Sequence, residues 1–95
     1  MHRFTEPEIA QFCNENEWRE YTQDWMLIAN FEFETFLEWV AFVNDIAAVA
    51  EEHAHHPDLL IRYNTVTVAT CTHDEDDAIT QKDFDLVQAI DNLVE

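Results

Sequence analysis

Residues 34–73 read ETFLEWVAFVNDIAAVAEEHAHHPDLLIRYNTVTVATCTH, and the spacing of apolar side chains changes within this stretch. From about Glu34 apolar residues recur every 3.6 positions, which predicts an amphipathic helix with one broad apolar face. That face consists of Phe36, Val40, Val43, Ala47 and Ala50, flanked by Trp39, Ile46 and Val49. Pro57 ends the predicted helix, because the residue before a proline is disfavoured in the helical region. His55 and His56 therefore lie at the end of this helix.

The second half of the same stretch has the composition of strands. Residues 59–63 and 65–73 are rich in β-branched side chains, which favour extended backbone. Asn64 separates them and belongs to the residue types that accept a left-handed turn conformation, so we predict a tight hairpin. His73 is predicted to end the second strand, on the face opposite the strand's valines.

The flanking segments add two helices and two strands. Residues 5–8, TEPE, form a capping box with proline in the first turn and predict a helix that ends near Asn14. Residues 18–21 and 25–33 alternate between apolar and polar side chains, which predicts two strands. Residues 80–83, TQKD, are typical of another capped helix start, and an apolar stripe follows them.

The predicted element order is α-β-β-α-β-β-α, which indicates an α+β fold. We expect a four-stranded antiparallel sheet with the helices packed on one face. The chain has 95 residues, of which 47% are hydrophobic. This is enough for one core and too little for two ordinary domains, so residues 1–95 are predicted to form a single domain.

The charge of the chain excludes several classes of partner. There are 21 Asp and Glu residues against 4 Lys and Arg, a formal net charge of -17. Such a surface repels phosphate backbones and anionic lipids, so we expect neither nucleic acid nor a membrane as a partner. Two explanations of the charge remain open: adaptation to high salt, or mimicry of nucleic acid toward a basic partner. The chain has no Gly and no Ser, which excludes glycine-rich phosphate loops and serine nucleophiles.

The cysteine content and the hydropathy pattern predict a cytoplasmic protein. Cys13 and Cys71 are the only thiols and do not form a CxxC motif. No apolar leader follows Met1, and no apolar run approaches the roughly 20 residues that span a bilayer.

Histidines are concentrated in two places. His53, His55 and His56 lie at the end of the central helix, and His73 lies at the end of the last predicted strand. Each one taken singly is typical of a surface or helix-capping residue. Together they indicate general acid/base chemistry, because imidazole both gives and takes protons near neutral pH.

The histidines belong to a longer pattern with fixed spacings, E-x3-H-H-P-x5-Y-x9-H-x9-D. Its seven positions are Glu51, His55, His56, Pro57, Tyr63, His73 and Asp83. This pattern resembles the signature of the pterin-4a-carbinolamine dehydratases, also called 4a-hydroxytetrahydrobiopterin dehydratases. The likeness covers nearly the whole chain and is weakest before about Trp18.

The resemblance implies an enzyme that dehydrates pterin-4a-carbinolamine to quinonoid dihydropterin, a recycling step that uses no cofactor and no metal. It implies His55 and His73 as the acid/base pair and His56 in substrate positioning and proton exchange. Glu51, Pro57, Tyr63 and Asp83 are implied as substrate-binding or tuning residues. Family habit also implies a homodimer or homotetramer.

Three alternatives remain open from the sequence. The first is a zinc or nickel site, whose possible ligands are Glu52, His53, His55, His56, His73 and Asp74. The second is a Cys71 nucleophile paired with His73, although the acidic surroundings do not favour a thiolate. The third is a non-catalytic module of the same fold that acts by oligomerisation, with Trp39 and Phe42 of the central helix available for a subunit contact.

Overall fold

The computed structural model describes residues 3–16, 18–21, 26–76 and 78–94. Their elements, in chain order, are α1 (Glu6–Asn16), β1 (Arg19–Tyr21), β2 (Met26–Glu32), α2 (Phe36–His53), β3 (Asp58–Arg62), β4 (Thr65–Thr70), a 3-10 helix (His73–Glu75) and α3 (Gln81–Leu93). Part of the predicted second strand and the turn before it, residues 22–25, lie outside the described residues.

Each α-helix begins at a threonine that is followed three residues later by an acidic residue. The residues involved are Thr5 and Glu8 for α1, Thr35 and Glu38 for α2, and Thr80 and Asp83 for α3. In α1 and α2 the threonine hydroxyl accepts the backbone N–H of the acidic residue, at 3.5 and 3.2 Å. The acidic oxygen in α1 and α3 accepts the threonine backbone N–H, at 2.9 Å in both. These short-range bonds satisfy N–H groups that have no partner within the helix, and the sequence pattern predicts those of α1 and α3.

The strands form one antiparallel sheet in the order β1-β2-β4-β3. One face carries the buried side chains Leu27, Ala29, Val66 and Val68, which belong to the same core cluster as residues of all three helices. On the other face Asn30 and Leu60 are exposed. The molecule therefore has a sheet layer and a helix layer, with the core between them.

The predicted order and sheet require correction. The predicted order does not contain the 3-10 helix His73–Glu75, which begins at the residue where the last strand was predicted to end. β4 ends at Thr70, because its last partner on β2 is Leu27, and the backbone N–H of Thr72 instead bonds to Ala78 O at 2.8 Å. Three strands of five to seven residues make up most of the sheet, and β1 adds only three residues at one edge.

The buried face of α2 differs from the predicted stripe. Phe42, Ile46 and Ala50 are buried, whereas Phe36 is 63% exposed. Phe42 contacts Phe31 and Phe33 of the β2 region, with ring centroids 5.0 and 5.1 Å apart. The predicted subunit contact through Phe42 is therefore wrong, because that side chain belongs to the core.

The turn between β3 and β4 also differs from the prediction. Tyr63, and not Asn64, has a positive φ, of 52°. The Asn64 side-chain amide donates to Glu34 O at 3.2 Å and ties the turn to the start of α2. Asn64 thus contributes a side-chain bond where a left-handed backbone was expected.

Candidate active site

The end of α2 turns His55 toward the interior and leaves His56 outside. Ala54 has φ 49° and ψ 39°, and its N–H bonds to Ala50 O and Glu51 O. The next N–H, of His55, bonds to Ala50 O at 3.1 Å. This left-handed cap ends the helix, and His55, the residue after it, is only 9% exposed.

The three predicted catalytic histidines meet at one cavity. His73 reaches it from the 3-10 helix, whereas His55 and His56 reach it from the end of α2. The cavity has a volume of about 220 Å³ and is lined by Ala54, His55, His56, Cys71, Thr72, His73, Asp74 and Lys82. Imidazoles from two segments that are far apart in sequence therefore face the same small space.

The His55 ring is held from behind by Asp83, whose carboxylate is completely buried. His55 Nε2 lies 2.7 Å from Asp83 Oδ1, and the Thr70 hydroxyl donates to the same oxygen at 2.7 Å. Asp83 Oδ2 accepts the Thr72 hydroxyl at 2.7 Å and the Thr80 backbone N–H at 2.9 Å. All four contacts are short and buried. They supply the hydrogen bonds that a buried carboxylate requires.

Asp83 combines two roles that the sequence presents as alternatives. It is the acidic member of the capping box that begins α3, and it also contacts the candidate acid/base His55. The capping box therefore requires an acidic residue at the third position of α3, while the packing of α3 against the end of α2 makes His55 the partner of that residue.

Glu51 contacts a different histidine. Its Oε1 lies 3.4 Å from Nε2 of His56, and the two side chains are 80% and 65% exposed. Such exposed pairs hold their partners weakly, since water and salt screen them. Glu51 is therefore positioned to influence His56 at the cavity mouth.

Of the seven predicted site residues, Glu51, Pro57, Tyr63 and Asp83 do not line the cavity, although Glu51 and Asp83 contact histidines that do. Tyr63 is 92% exposed at the turn between β3 and β4 and is not among the residues that line the cavity, so its expected role at the site stays a prediction. Pro57 is half-buried and follows His56 directly, where it sets the backbone that leaves the site.

Several residues of the site are absent from the sequence prediction. Thr70 and Thr72 hold Asp83, and Lys82 lines the cavity; Asp74 also lines it, but the sequence indicates Asp74 only as a possible metal ligand. A signal for the threonines existed, because Thr70 follows Val66 and Val68 on the buried face of β4 and a buried hydroxyl needs a partner.

The alternative chemistries find less support. Among the described residues, no group of three or more His, Cys, Asp or Glu side chains is arranged to hold a metal ion. Cys71 Sγ lies 4.0 Å from His73 Nδ1, at the limit of a hydrogen bond to sulfur, and Asp74 lines the same cavity.

Of the helices that the structure describes, none has the length and apolar character to cross a bilayer.

Comparison with known proteins decides the family. The model of the family described as Pterin 4 alpha carbinolamine dehydratase matches residues 2–93. The chain belongs to this family. The dehydratases of this family are lyases, and the residues that carry the resemblance in the sequence lie within the matched range.

Relatives in several organisms support the assignment over nearly the full chain. A relative from Picosynechococcus sp. is 44% identical over 92 residues, which cover 96% of this chain and 97% of the relative. A relative from Chloroflexus aurantiacus is 39% identical over 95 residues, 99% of both chains. A relative from Natronomonas pharaonis is 44% identical over 69 residues, 73% of this chain and 74% of the relative. All three bear provisional names as pterin-4-alpha-carbinolamine dehydratases.

Solved structures share the architecture. A transcriptional coactivator/pterin dehydratase from Brucella melitensis is similar at a TM-score of 0.91 and 25% identity, covering 99% of this chain and 100% of that chain. A pterin dehydratase-like protein identified as a RuBisCO assembly factor in the alpha-carboxysome has a TM-score of 0.68 and 23% identity, covering 80% of this chain and 87% of that chain. The second likeness concerns the fold alone.

Proposed function

We propose that this protein dehydrates pterin-4a-carbinolamine to quinonoid dihydropterin and water by histidine general acid/base catalysis, and so recycles a pterin cofactor. The observation that carries the proposal is that His55, His56 and His73 line one cavity, with His55 held by a buried carboxylate. The cavity, of about 220 Å³, is smaller than the roughly 300 Å³ at which typical pockets for drug-sized ligands begin. This size suits a compact ring system.

The reaction needs two proton transfers. The bond between the carbinolamine carbon and its hydroxyl breaks, and a proton delivered to the departing oxygen makes the leaving group water. The adjacent ring nitrogen loses a proton, and its electron pair forms the new carbon–nitrogen double bond. One member of the pair His55 and His73 delivers the first proton and the other accepts the second. Each positioned group contributes about 10²- to 10⁴-fold to the rate.

The other residues of the signature receive supporting roles. His56 lines the cavity with an exposed side chain, where it positions the substrate and exchanges protons with water, and Glu51 lies beside it as a weak ion-pair partner. Asp83 orients His55 from the buried side. Pro57 holds the chain after His56 in a conformation that does not continue the helix.

Dehydration of synthetic carbinolamine pterin tests the proposal. The His55→Gln variant keeps an N–H donor for Asp83 but removes the titratable ring, and His73→Ala removes the second ring. We expect each variant to catalyse dehydration about 10²- to 10⁴-fold more slowly than the wild type. His53→Ala is the matched control, because His53 is an exposed residue of α2 that does not line the cavity. A wild-type rate no higher than the spontaneous rate would refute the proposed activity.

The sheet edge at β3 supports self-association. Among the strands that the structure describes, β3 pairs with β4 alone, and it exposes Leu59, Leu60 and Ile61 by 37%, 60% and 38%. An apolar edge strand pairs readily with a second strand. We propose that two copies associate through β3, as a homodimer or as part of a homotetramer.

Light scattering of the purified protein tests this association. We expect Leu60→Lys to shift the wild-type oligomer toward monomer. Leu37→Lys, an exposed position at the start of α2, is the matched control and should not change the mass. A monomeric wild type, or dissociation by Leu37→Lys only, would contradict pairing through β3. If the chain is an oligomer that lacks dehydration activity, the non-catalytic module is the better description.

The thiols support a reducing compartment. Cys13 is half-buried, Cys71 is buried, and the two are not joined in a disulfide. We propose a cytoplasmic location on this basis, since disulfides are rare there. Alkylation of the protein in unbroken cells, followed by mass spectrometry, checks the proposal, and an oxidised Cys13 would oppose it.

A further inference from the structure

We infer that the hydrogen bonds around Asp83 fix the His55 ring as its Nε2–H tautomer and leave Nδ1 as the atom that exchanges protons in the cavity. The catalytic part of this inference rests on the proposed function. The tautomer itself does not, and it is measured without substrate.

The first step is the count of donors on Asp83. Its Oδ2 accepts the backbone N–H of Thr80 at 2.9 Å, and a backbone N–H can only donate. The Thr72 hydroxyl adds a second bond to Oδ2 at 2.7 Å, and the Thr70 hydroxyl reaches Oδ1 at 2.7 Å. Three donors therefore converge on the two oxygens before His55 is considered, which is the arrangement that suits a carboxylate.

The threonine hydroxyls form a chain with one consistent direction. The Thr80 hydroxyl lies 2.8 Å from the Thr72 hydroxyl and accepts the backbone N–H of Lys82 at 3.3 Å. A hydroxyl has a single proton to donate. Because the Thr72 hydroxyl donates its proton to Asp83, the Thr80 hydroxyl must donate to the Thr72 oxygen. Every hydroxyl in the chain then has a partner, and none of them requires Asp83 to carry a proton.

The second step concerns the His55 ring. An acceptor-only carboxylate 2.7 Å from Nε2 requires a proton on that nitrogen. In the neutral ring the remaining nitrogen, Nδ1, then carries the lone pair. Within the described residues Nδ1 has no hydrogen-bond partner, and His55 lines the cavity. Nδ1 is therefore the atom available to a substrate.

The same geometry predicts the opposite tautomer in one variant. In Asp83→Asn, the Thr80 N–H still requires an acceptor, so the amide oxygen must occupy the Oδ2 position. The amide nitrogen then occupies the Oδ1 position and donates toward His55 Nε2. That nitrogen must become the acceptor, and the ring proton moves to Nδ1. Asp83→Asn thus replaces the lone pair at the cavity with an N–H group.

Long-range proton–nitrogen NMR correlation of the His55 ring tests the inference, at a pH where the ring is neutral. We expect the proton on Nε2 in the wild type and on Nδ1 in Asp83→Asn. Asp85→Asn is the matched control, because Asp85 is an exposed carboxylate of the same helix that accepts Gln81 Nε2 at 2.8 Å. It should keep the wild-type tautomer. A wild-type ring protonated on Nδ1 overturns the inference, and this measurement needs no variant to fold.

Rates separate this inference from the proposed function. We expect Asp83→Asn to lower the dehydration rate by about 10²- to 10⁴-fold, the contribution of one positioned acid/base group. Thr72→Val should keep the Nε2–H tautomer and lower kcat about tenfold with KM little changed, because one bond that orients Asp83 is lost. Thr72→Ser keeps the hydroxyl and should recover the wild-type rate.

The outcomes divide cleanly between the two claims. An Nε2–H ring in a protein without dehydratase activity refutes the proposed function and leaves the tautomer assignment standing. An active wild type whose Asp83→Asn variant retains the Nε2–H ring refutes the assignment. If Thr72→Ser is as slow as Thr72→Val, Thr72 is not a positioning residue.

Discussion

We expect the capping box at the start of α3 to stabilise the fold more than the equivalent box of α1, and Thr80→Ala tests this difference. Thr80 is completely buried, and its hydroxyl contacts the Thr72 hydroxyl at 2.8 Å and the Lys82 N–H at 3.3 Å. The box of α1 has the same pattern, but Thr5 is exposed and its cap bond from the Glu8 N–H is 3.5 Å long. When the threonine hydroxyl is removed, water can bond to the exposed N–H group of α1, but it does not reach the buried groups that contact Thr80 in α3.

The magnitude follows from the three interactions that Thr80→Ala removes. Loss of the cap costs about 1 kcal/mol, the buried methyl about 0.8 kcal/mol, and the bond to Thr72 about 1 kcal/mol. We therefore expect the free energy of unfolding to fall by about 3 kcal/mol for Thr80→Ala. Thr5→Ala should cost roughly 0.5 kcal/mol, since an exposed cap with a long bond lies at the low end of the range. Thr80→Ser keeps the hydroxyl and should cost about 1 kcal/mol, the methyl alone.

Urea titration at constant salt measures these differences. In a domain of this size each kcal/mol corresponds to a shift in Tm of about 4–8 °C, so thermal melting provides an independent check. Equal losses for Thr80→Ala and Thr5→Ala, within about 0.5 kcal/mol, would refute the reasoning, because the buried box would then contribute no more than the exposed one.

Further predictions concern the surface, the turn and the core. Raising KCl from about 0.1 to 1 M shortens the Debye length from roughly 10 to 3 Å, which screens the repulsion between like charges. The Tm of this chain, with a net charge of -17, should therefore rise. An unchanged Tm would oppose adaptation to salt. Tyr63→Gly should add about 1 kcal/mol of stability in a urea titration, because Gly accepts a φ of 52° without strain, and dehydration should be unchanged; a slower rate would return Tyr63 to the site. Trp18→Phe removes the 2.9 Å bond from Nε1 to Asp91 and should cost about 1 kcal/mol by the same titration, unless that bond is dispensable. Ile46→Ala leaves a cavity in the core and should cost about 2–5 kcal/mol; a loss below 1 kcal/mol would contradict its position there.

Much of the site could be read from the sequence because its residues have short-range signatures. The proline at position 57 indicates the end of α2, so His55 and His56 are correctly expected at the helix exit. The TQKD box indicates the start of α3 and makes Asp83 its third residue. These signals depend on bonds between residues at most four positions apart, which a sequence pattern records.

The partners of these residues could not be read in the same way. The bond between His55 and Asp83 joins residues 28 positions apart, and Thr70 lies 13 positions from Asp83. Such contacts depend on how α2, β4 and α3 pack, and side-chain periodicity carries no record of it. Periodicity also misplaced the buried face of α2, because the exposed Phe36 fits an apolar stripe as well as the buried Phe42 does.

The sequence by itself determined most of the elements and the chemistry available: three helices, two of them with capping boxes, most of the strands between them, a negative surface and histidines suited to proton transfer. The tertiary structure decided which of these groups meet. It turned His55 inward after the left-handed backbone of Ala54, left Tyr63 exposed at a turn, and ended β4 at Thr70. The physical reason is the range of the interactions. Capping and periodicity act within a few residues, whereas a buried carboxylate must find its donors wherever packing brings them.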